Sequence, residues 1–461
     1  MGESFLNPLI FRQYDVRGIA ETDLNDEAMV TLGKAYGTYM GKKGLLKVSL
    51  GRDVRPSSER ISRSLKEGVL SCGCDVIDIG IATTPLLYFS IVSLGVDGGM
   101  MVTGSHNPRQ YNGVKLCQGL SSIYGEELQV LRKIADEGSF STGSGRARET
   151  SVLDRYVDEI KNRIVPSSRL KVGIDCGNGT GGPVAERVFG ALKQDVIPIF
   201  FEPDGRFPNH LPDPTVDENM RVLSKAVVDG SADLGVGFDG DADRIGAVDE
   251  RGRMVRGDQL LAIFAKDVLS RKKGAKIVLD VKCSQGLVEE IEKWGGIPIM
   301  SRTGHAIIKA RMKEEGAPVG GELSGHMFFA DSYYGFDDGI YAAARLVEIL
   351  SRSGKRLSLM VDEIPHYFST PEIWIDCSDE EKFEVIERLK KFFSERYKVI
   401  DIDGARVIFE DGWGLVRASN TQPVLVLRFE AKSEERLAQI ESLFRDKVRE
   451  LGGAAVKIRE T

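Results

Sequence analysis

Residues 45–80 read LLKVSLGRDVRPSSERISRSLKEGVLSCGCDVIDIG, and the order of the patterns within them decides the fold. An apolar strand comes first, then a polar and small-residue loop, then an amphipathic helix, then a second strand. Strand, helix and strand in that order pair in parallel through a right-handed crossover. The unit recurs as LKVGIDCGNGTGGPVAERVFGALKQDVIPIFF at 170–201 and as AKIVLDVKCSQGLVEEIEKWGGIPIMSR at 275–302. Starts at 45, 170 and 275 are too widely spaced for a solenoid, so the pattern predicts three α/β domains of one type.

The tail differs. From about residue 369 it runs strand, helix (EEKFEVIERLKKFFSERY), several short strands and a last helix. That is the pattern of a small α+β domain with a mostly antiparallel sheet. The boundaries expected are 1–150, 151–253, 254–368 and 369–461, the last placed near Pro365, which is expected to end the preceding helix and stiffen a linker.

Bulk properties fit this division. A chain of 461 residues is too long for one hydrophobic core. Its 42% hydrophobic and 28% charged residues are those of a soluble globular protein. A net charge of −7 argues against a nucleic-acid partner, and no apolar run approaches the length of a membrane span. The start lacks the basic residues and apolar block of a secretory signal, and the six cysteines are scattered without a Cys-x-x-Cys pair. Together these predict a reducing, cytoplasmic setting.

Four loops carry chemistry. In MMVTGSHNPRQYNG, 100–113, an apolar strand stops at a polar cluster where Gly104 and Pro108 force a turn. The turn is expected to expose the Ser105 hydroxyl with His106 beside it. In DLGVGFDGDADRIGAVD, 233–249, a strand over 234–238 delivers Asp239, Asp241 and Asp243 at alternate positions. Read as extended backbone, alternation puts the three carboxylates on one side, where their repulsion calls for a cation. Hard oxygen ligands suit Mg²⁺, with a calcium loop of the EF-hand kind as the weaker alternative. Arg244 follows, placed to neutralise a phosphate. In PVGGELSGHMFFAD, 318–331, glycines bracket Glu322, Ser324 and His326. A carboxylate suits paired sugar hydroxyls, although a plain glycine turn fits this stretch equally well. In GLVRASNTQPVLVLRFE, 414–430, Arg417, Ser419, Asn420 and Thr421 have the composition of a phosphate clamp. Lys282 follows the third-repeat strand, and His305 lies just before an amphipathic helix. Three of the five histidines (106, 305 and 326) fall in these loops.

TGSHNP, DGDADR, GELSGH and RASNT, in this order and at these separations, resemble the α-D-phosphohexomutase superfamily, from FRQYDVRG at 11–18 through the tail. Within it the chain looks most like the bacterial bifunctional phosphomannomutase/phosphoglucomutases, which share GE-x-SGH, a DVKC-like strand end and RTGH. Phosphoglucosamine mutases look similar but usually carry Gln where this chain has Leu323. Arg109 and Gln110 depart from the pattern at a position where the family varies.

The resemblance implies four domains around a central cleft and a phosphoserine at 105. Asp239, Asp241 and Asp243 would bind one Mg²⁺ together with the Ser105 phosphate. Glu322 and Ser324 would hold sugar hydroxyls, and Arg417, Ser419, Asn420 and Thr421 the phosphate not being transferred. Lys115, Arg244, Lys282, His305 and His326 would supply positive charge or proton transfer, with Tyr14 and Arg17 facing the cleft. The implied reaction interconverts hexose 6-phosphate and hexose 1-phosphate through a 1,6-bisphosphosugar, which is also the activator. A phosphoglucosamine mutase is the nearest alternative. A serine hydrolase ranks lower, because Ser105 lacks a Gly-x-Ser-x-Gly setting and three aspartates are superfluous to that chemistry. A non-catalytic sugar-phosphate binder would need the clamp but neither the serine nor the aspartates. Partners are expected to be small sugar phosphates, with the protein a monomer or weak oligomer.

Overall fold

The first repeat folds as strand Lys47–Arg52, helix Ser58–Ser71 and strand Asp75–Ile81. The second folds as Lys171–Asp175, Gly181–Ala191 and Asp195–Ile199, and the third as Lys276–Asp280, Gln285–Lys293 and Ile297–Ser301. In all three the strands pair in parallel. The coordinates are those of a computed structural model, which describes residues 6–419, 423–453 and 456–457. The chain forms two compact units, Met1–Leu260 with Ser324–Val361, and Leu261–Leu323 with Asp362–Thr461.

The first unit contains two mixed sheets. One runs, in spatial order, Val16–Ile19, Tyr111–Gln118, Gly98–Val102, Lys47–Arg52, Asp75–Ile81 and Ala147–Glu149, with Ser121–Ser122 beside Tyr111–Gln118. Gly98–Val102 is buried along its whole length, which is why its sequence is apolar throughout rather than alternating. It pairs in parallel with Lys47–Arg52 and antiparallel with Tyr111–Gln118, so that Met101 stands opposite Lys115. Lys115 is therefore held in a strand one residue pair from the end at which the Ser105 loop leaves. The second sheet runs Met254–Val255, Ile245–Asp249, Leu234–Phe238, Lys171–Asp175 and Asp195–Ile199. Leu234–Phe238 is parallel to one neighbour and antiparallel to the other. The aspartate loop leaves its carboxyl end, the usual place for ligands on such sheets.

Helix Gly339–Ser353 belongs to the same unit. Asp338 caps it by accepting from Tyr341 N at 2.9 Å. It ends at Gly354, φ 65, well before Pro365, and a short helix, Leu357–Asp362, intervenes. The residue that stops the long helix is thus a left-handed glycine, not the proline expected from the sequence.

In the second unit Lys276–Asp280 lies between Ile297–Ser301 and Val319–Gly321, all parallel. The tail sheet is antiparallel, in the order Lys398–Ile400, Ala405–Ile408, Gly412–Ala418, Val424–Ala431, Ile373–Cys377 and Val456–Lys457. Helices Lys382–Ser394 and Glu434–Gly452 cover it, and Phe393 stacks on Phe444 at 4.6 Å between ring centres. Each such buried ring contributes about 1.5–3 kcal/mol. Arg406 is buried over Trp413, its Cζ 3.9 Å from the ring centre, and donates to Val281 O at 2.6 Å and Cys283 O at 2.8 Å. It thereby fixes the turn on both sides of Lys282. All six cysteines are buried and free. Among the described residues no helix is long and apolar enough to cross a membrane.

Candidate active site

The loop after Gly98–Val102 turns at once, with Thr103 N bonded to Gly113 O at 3.0 Å and Ser105 N to Thr103 Oγ1 at 2.8 Å. Ser105 takes φ 48, in the left-handed region. Its hydroxyl is not exposed as the sequence suggested: the residue is only 3% accessible. Ser105 Oγ donates to Asp239 Oδ2 at 2.8 Å and lies 3.2 Å from His106 Nδ1. Burial, followed by the charges of Arg244 and Arg17, holds the His106 imidazole well below its ordinary pKa. His106 is therefore neutral, a group able to exchange a proton with Oγ.

The aspartate loop is a turn rather than the extended segment expected. Ala242 sits at φ 56 and its N–H returns to Asp239 O at 3.1 Å. The three carboxylates converge all the same, each fully buried, with one oxygen apiece within 4.8 Å of the others. Curling the backbone brings them closer than alternation along a strand would. Gly240 is required by contact: a Cβ there would stand 2.6 Å from Ser105 O. Glu250, twelfth from Asp239 as an EF-hand would need, lies beyond strand Ile245–Asp249 and accepts from Ser358 N and Oγ instead. The EF-hand alternative is thereby excluded.

Burial, with Asp243 and Asp241 beside it, pushes the Asp239 carboxyl well above its usual value. Lys115 pairs with Asp243 and lies 3.5 Å from Asp241 Oδ2. Burial alone would lower its pKa, but Asp243, Asp241 and Asp337 overcome that and keep it charged. Thr84 Oγ1 donates to Asp241 Oδ2 at 2.5 Å, and Asp241 Oδ1 is buried without a hydrogen-bond partner among the described residues. Convergent hard oxygens and one undonated lone-pair set fit a small divalent cation.

A second group adjoins the first. Asp243, His326 and Asp337 bring ligand atoms within 4.8 Å of one another. Arg244 Nε, which can only donate, points to His326 Nε2 at 2.9 Å. The imidazole proton therefore resides on Nδ1, 3.1 Å from Asp337 Oδ2 and 3.5 Å from Asp243 Oδ1. His326 in this state orients Arg244, and Asp337 orients His326. Next to it, Asp338 accepts from Tyr156 OH at 2.9 Å and Tyr333 OH at 3.0 Å. Sequence reasoning missed both Thr84 and Asp337. Thr83-Thr84-Pro85 at a helix start and Phe336-Asp337-Asp338-Gly339 before another were the available signals.

Tyr14 and Arg17 are half-buried in the first unit, Arg17 paired with Asp15, and Ser324 is half-buried there as well. In the second unit Lys282 pairs with Glu372 at 3.0 Å. Asp403 Oδ2 takes Arg417 Nε at 3.1 Å and Thr303 N at 3.2 Å. Gly304 N donates to Glu322 Oε1 at 2.6 Å, and His305 is buried at the start of helix His305–Glu315. Arg417 and Glu322 are thus linked through Asp403 and residues 303 and 304. Ser419 N bonds Val424 O at 2.9 Å. Asn420 and Thr421 lie outside the described residues.

Comparison with known proteins gives the family. Models of phosphoglucomutase/phosphomannomutase match the chain in order: alpha/beta/alpha domain I over 8–140, domain II over 154–252, domain III over 256–368 and the C-terminal domain over 372–447. The chain belongs to the phosphoglucomutase/phosphomannomutase family, and is accordingly a mutase enzyme. It is 44% identical over 441 residues to a phosphomannomutase/phosphoglucomutase of Pseudomonas aeruginosa, covering 95% of each chain. Against a phosphoglucomutase of Neisseria gonorrhoeae the identity is 42%, over 95% of this chain and 96% of that one. A crystal structure of a phosphoglucomutase/phosphomannomutase family protein from Burkholderia thailandensis superposes with a TM-score of 0.93 at 40% identity, covering 98% and 99% of the two chains.

Proposed function

We propose that the protein interconverts hexose 6-phosphate and hexose 1-phosphate, with mannose and glucose as the sugars, through a phosphorylated Ser105 and a hexose 1,6-bisphosphate. The observation that carries this reading is the Ser105 hydroxyl, held in a left-handed turn 2.8 Å from one of three converging carboxylates. Asp239, Asp241, Asp243 and a phosphate on Ser105 would hold Mg²⁺, which supplies charge neutralisation at the transferring group.

We assign the remaining roles to the other site residues. The sugar hydroxyl oxygen bonds to phosphorus while the bond from phosphorus to Ser105 Oγ breaks. The proton that the sugar hydroxyl loses is the one that Oγ takes up, and the neutral His106 imidazole, 3.2 Å from Oγ, is placed to relay it, accepting at one nitrogen as it gives one up at the other. Lys115 and Arg244 bring fixed positive charge, the latter aimed by His326. When the bisphosphate has turned over, the same groups return its other phosphate to Ser105. Lys282, Arg417, Ser419, Asn420 and Thr421 grip the phosphate that stays, Glu322 and Ser324 read the hydroxyls, and Tyr14, Arg17 and His305 complete the lining. The burial of Ser105 supports a phosphoserine shielded from water.

The test is a coupled assay on glucose 1-phosphate and mannose 1-phosphate with a trace of bisphosphate, alongside peptide mass spectrometry. Phosphate is expected on Ser105, Ser105→Ala loses most turnover, and excess EDTA abolishes it. Full turnover by Ser105→Ala overturns the reading.

A further inference from the structure

The strained Ser105 turn makes few bonds of its own: Asn107 N and Nδ2 both return to Gly104 O at 2.9 Å. The space beneath it is filled by Arg55, a residue of the first repeat whose side chain is wholly buried. Arg55 Nη2 donates to Ser105 O at 2.8 Å and Asn107 O at 2.6 Å, and Nη1 to Pro108 O at 2.9 Å and Tyr111 O at 3.0 Å. One guanidinium thus takes four carbonyls across the whole phosphoserine loop. Asp53 abuts it from behind. Its Oδ2 lies 3.3 Å from Arg55 Nε and accepts from Gly104 N at 3.1 Å, while its Oδ1 accepts from Arg55 N at 2.9 Å and from Ser58 Oγ. The fit is close enough that a Cβ on Gly104 would stand 2.5 Å from Arg55 Cζ. The ring of Phe207 closes the other side, 5.1 Å from the guanidinium.

We propose that Arg55, with Asp53 behind it, is a positioning residue for phosphoryl transfer, its four-carbonyl fork holding Ser105 in the geometry from which the phosphoryl group leaves and to which it returns. This rests on Ser105 being the phosphoryl carrier. Arginine is needed because its planar donors are fixed relative to one another, and a lysine ammonium cannot reach four diverging carbonyls in one plane. None of the four acceptors is a reacting atom, so the effect is on where Oγ stands. A displacement of about an ångström at a reacting centre costs on the order of a hundredfold in rate. The phosphate clamp and the sugar loop are untouched, so the loss falls on kcat and leaves KM nearly unchanged.

The experiment compares wild type, Arg55→Lys, Asp53→Asn and Ser105→Ala. Each is measured for kcat and KM on glucose 1-phosphate, melting temperature, and the phosphorus NMR signal of protein treated with glucose 1,6-bisphosphate. Folded Arg55→Lys is expected to lose about a hundredfold in kcat with KM within about threefold, and to show a broadened or shifted phosphoserine signal. If Arg55→Lys does not fold at the assay temperature, Asp53→Asn, which loosens the fork without removing it, carries the test with an expected loss of about tenfold. A folded variant with wild-type kcat and signal overturns the proposal, as does a kcat loss matched by the lost folded fraction. Normal turnover by Ser105→Ala would instead remove the reading beneath it, whereas an inactive Ser105→Ala beside a normal Arg55→Lys removes this inference alone.

Discussion

Thr84→Val isolates the support given to one proposed metal ligand. Thr84 is fully buried at the start of helix Thr84–Leu94. Its backbone N–H donates to Asp241 O at 2.9 Å and its hydroxyl to Asp241 Oδ2 at 2.5 Å. Valine keeps the branching and the backbone bond and removes only the hydroxyl. A hydrogen bond to a buried carboxylate is worth about 1.5–3 kcal/mol, so the variant should melt lower. Lys115 remains 3.5 Å from the same oxygen, which leaves Asp241 a charge partner but free to swing. Loss of a hydrogen bond that orients a ligand typically weakens metal binding about 10–100-fold. The assay is the Mg²⁺ concentration giving half-maximal activity, read beside the melting temperature with and without Mg²⁺. Thr83→Ala is the control: it removes the cap on Leu86 N, bonded at 3.1 Å, for about 1 kcal/mol of stability. That variant should melt lower with an unchanged Mg²⁺ midpoint. Equal midpoints for Thr84→Val and Thr83→Ala would refute the reasoning, since both would then act only through the helix.

Two further outcomes follow from side chains already described. If Glu322 reads the O3 and O4 hydroxyls, glucose 1-phosphate and mannose 1-phosphate, which differ at C2, should have comparable kcat/KM, and galactose 1-phosphate should be rejected on the order of 10⁴-fold; mannose turned over no better than galactose would sink this. Burial pushes the Asp338 carboxyl up to about 6, so its ionised form costs about 3 kcal/mol at neutral pH, a cost relieved as pH falls towards about 4. Asp338→Asn lacks that relief, and its melting temperature should fall further behind wild type as pH is lowered from about 7 to about 5; a gap that narrows would contradict it.

The parts of this protein legible in the sequence are those set by local pattern. Each crossover repeat carries its strands and helix within one short stretch, and parallel pairing follows from that order alone. Ser105 and the three aspartates were legible because strands ended at them. What escaped was set by contacts between distant segments. Thr84 meets Asp241 across 157 residues, and Arg55 meets Pro108 across 53. No local periodicity marks either. The aspartate loop shows a subtler limit: alternation predicts convergence in extended backbone, whereas convergence here comes from a turn at Ala242. Nor does scarcity alone place a histidine at the Ser105 site. His210 lies 3.2 Å from Asp175 and 2.8 Å from Leu211 O, bracing a loop rather than meeting the Ser105 site.

The charges around Ser105 lead to a last prediction. Asp239, Asp241, Asp243 and Asp337 face Lys115 and Arg244. Four carboxylates against two fixed cations leave two negative charges in a buried space, an arrangement with no merit for stability alone. Without a cation the cluster relieves itself by protonation, which is why burial and its neighbours hold Asp239 well above the usual carboxylate range. A divalent ion supplies the two missing charges but needs Asp239 deprotonated, so protons and Mg²⁺ compete. Affinity for Mg²⁺ should therefore rise with pH and flatten once Asp239 ionises freely. Phosphorylation sharpens this, because the hydroxyl that donates to Asp239 becomes an ester with no proton to give. The phosphorylated enzyme should accordingly bind Mg²⁺ more tightly than the dephosphorylated one. Calorimetric titration between about pH 6 and about pH 8, in buffers of differing ionisation enthalpy, reads both the affinity and the protons released. An affinity flat in pH with no proton release would mean that Asp239 is already ionised. The charge count, and with it the proposed ligand set, would then be wrong.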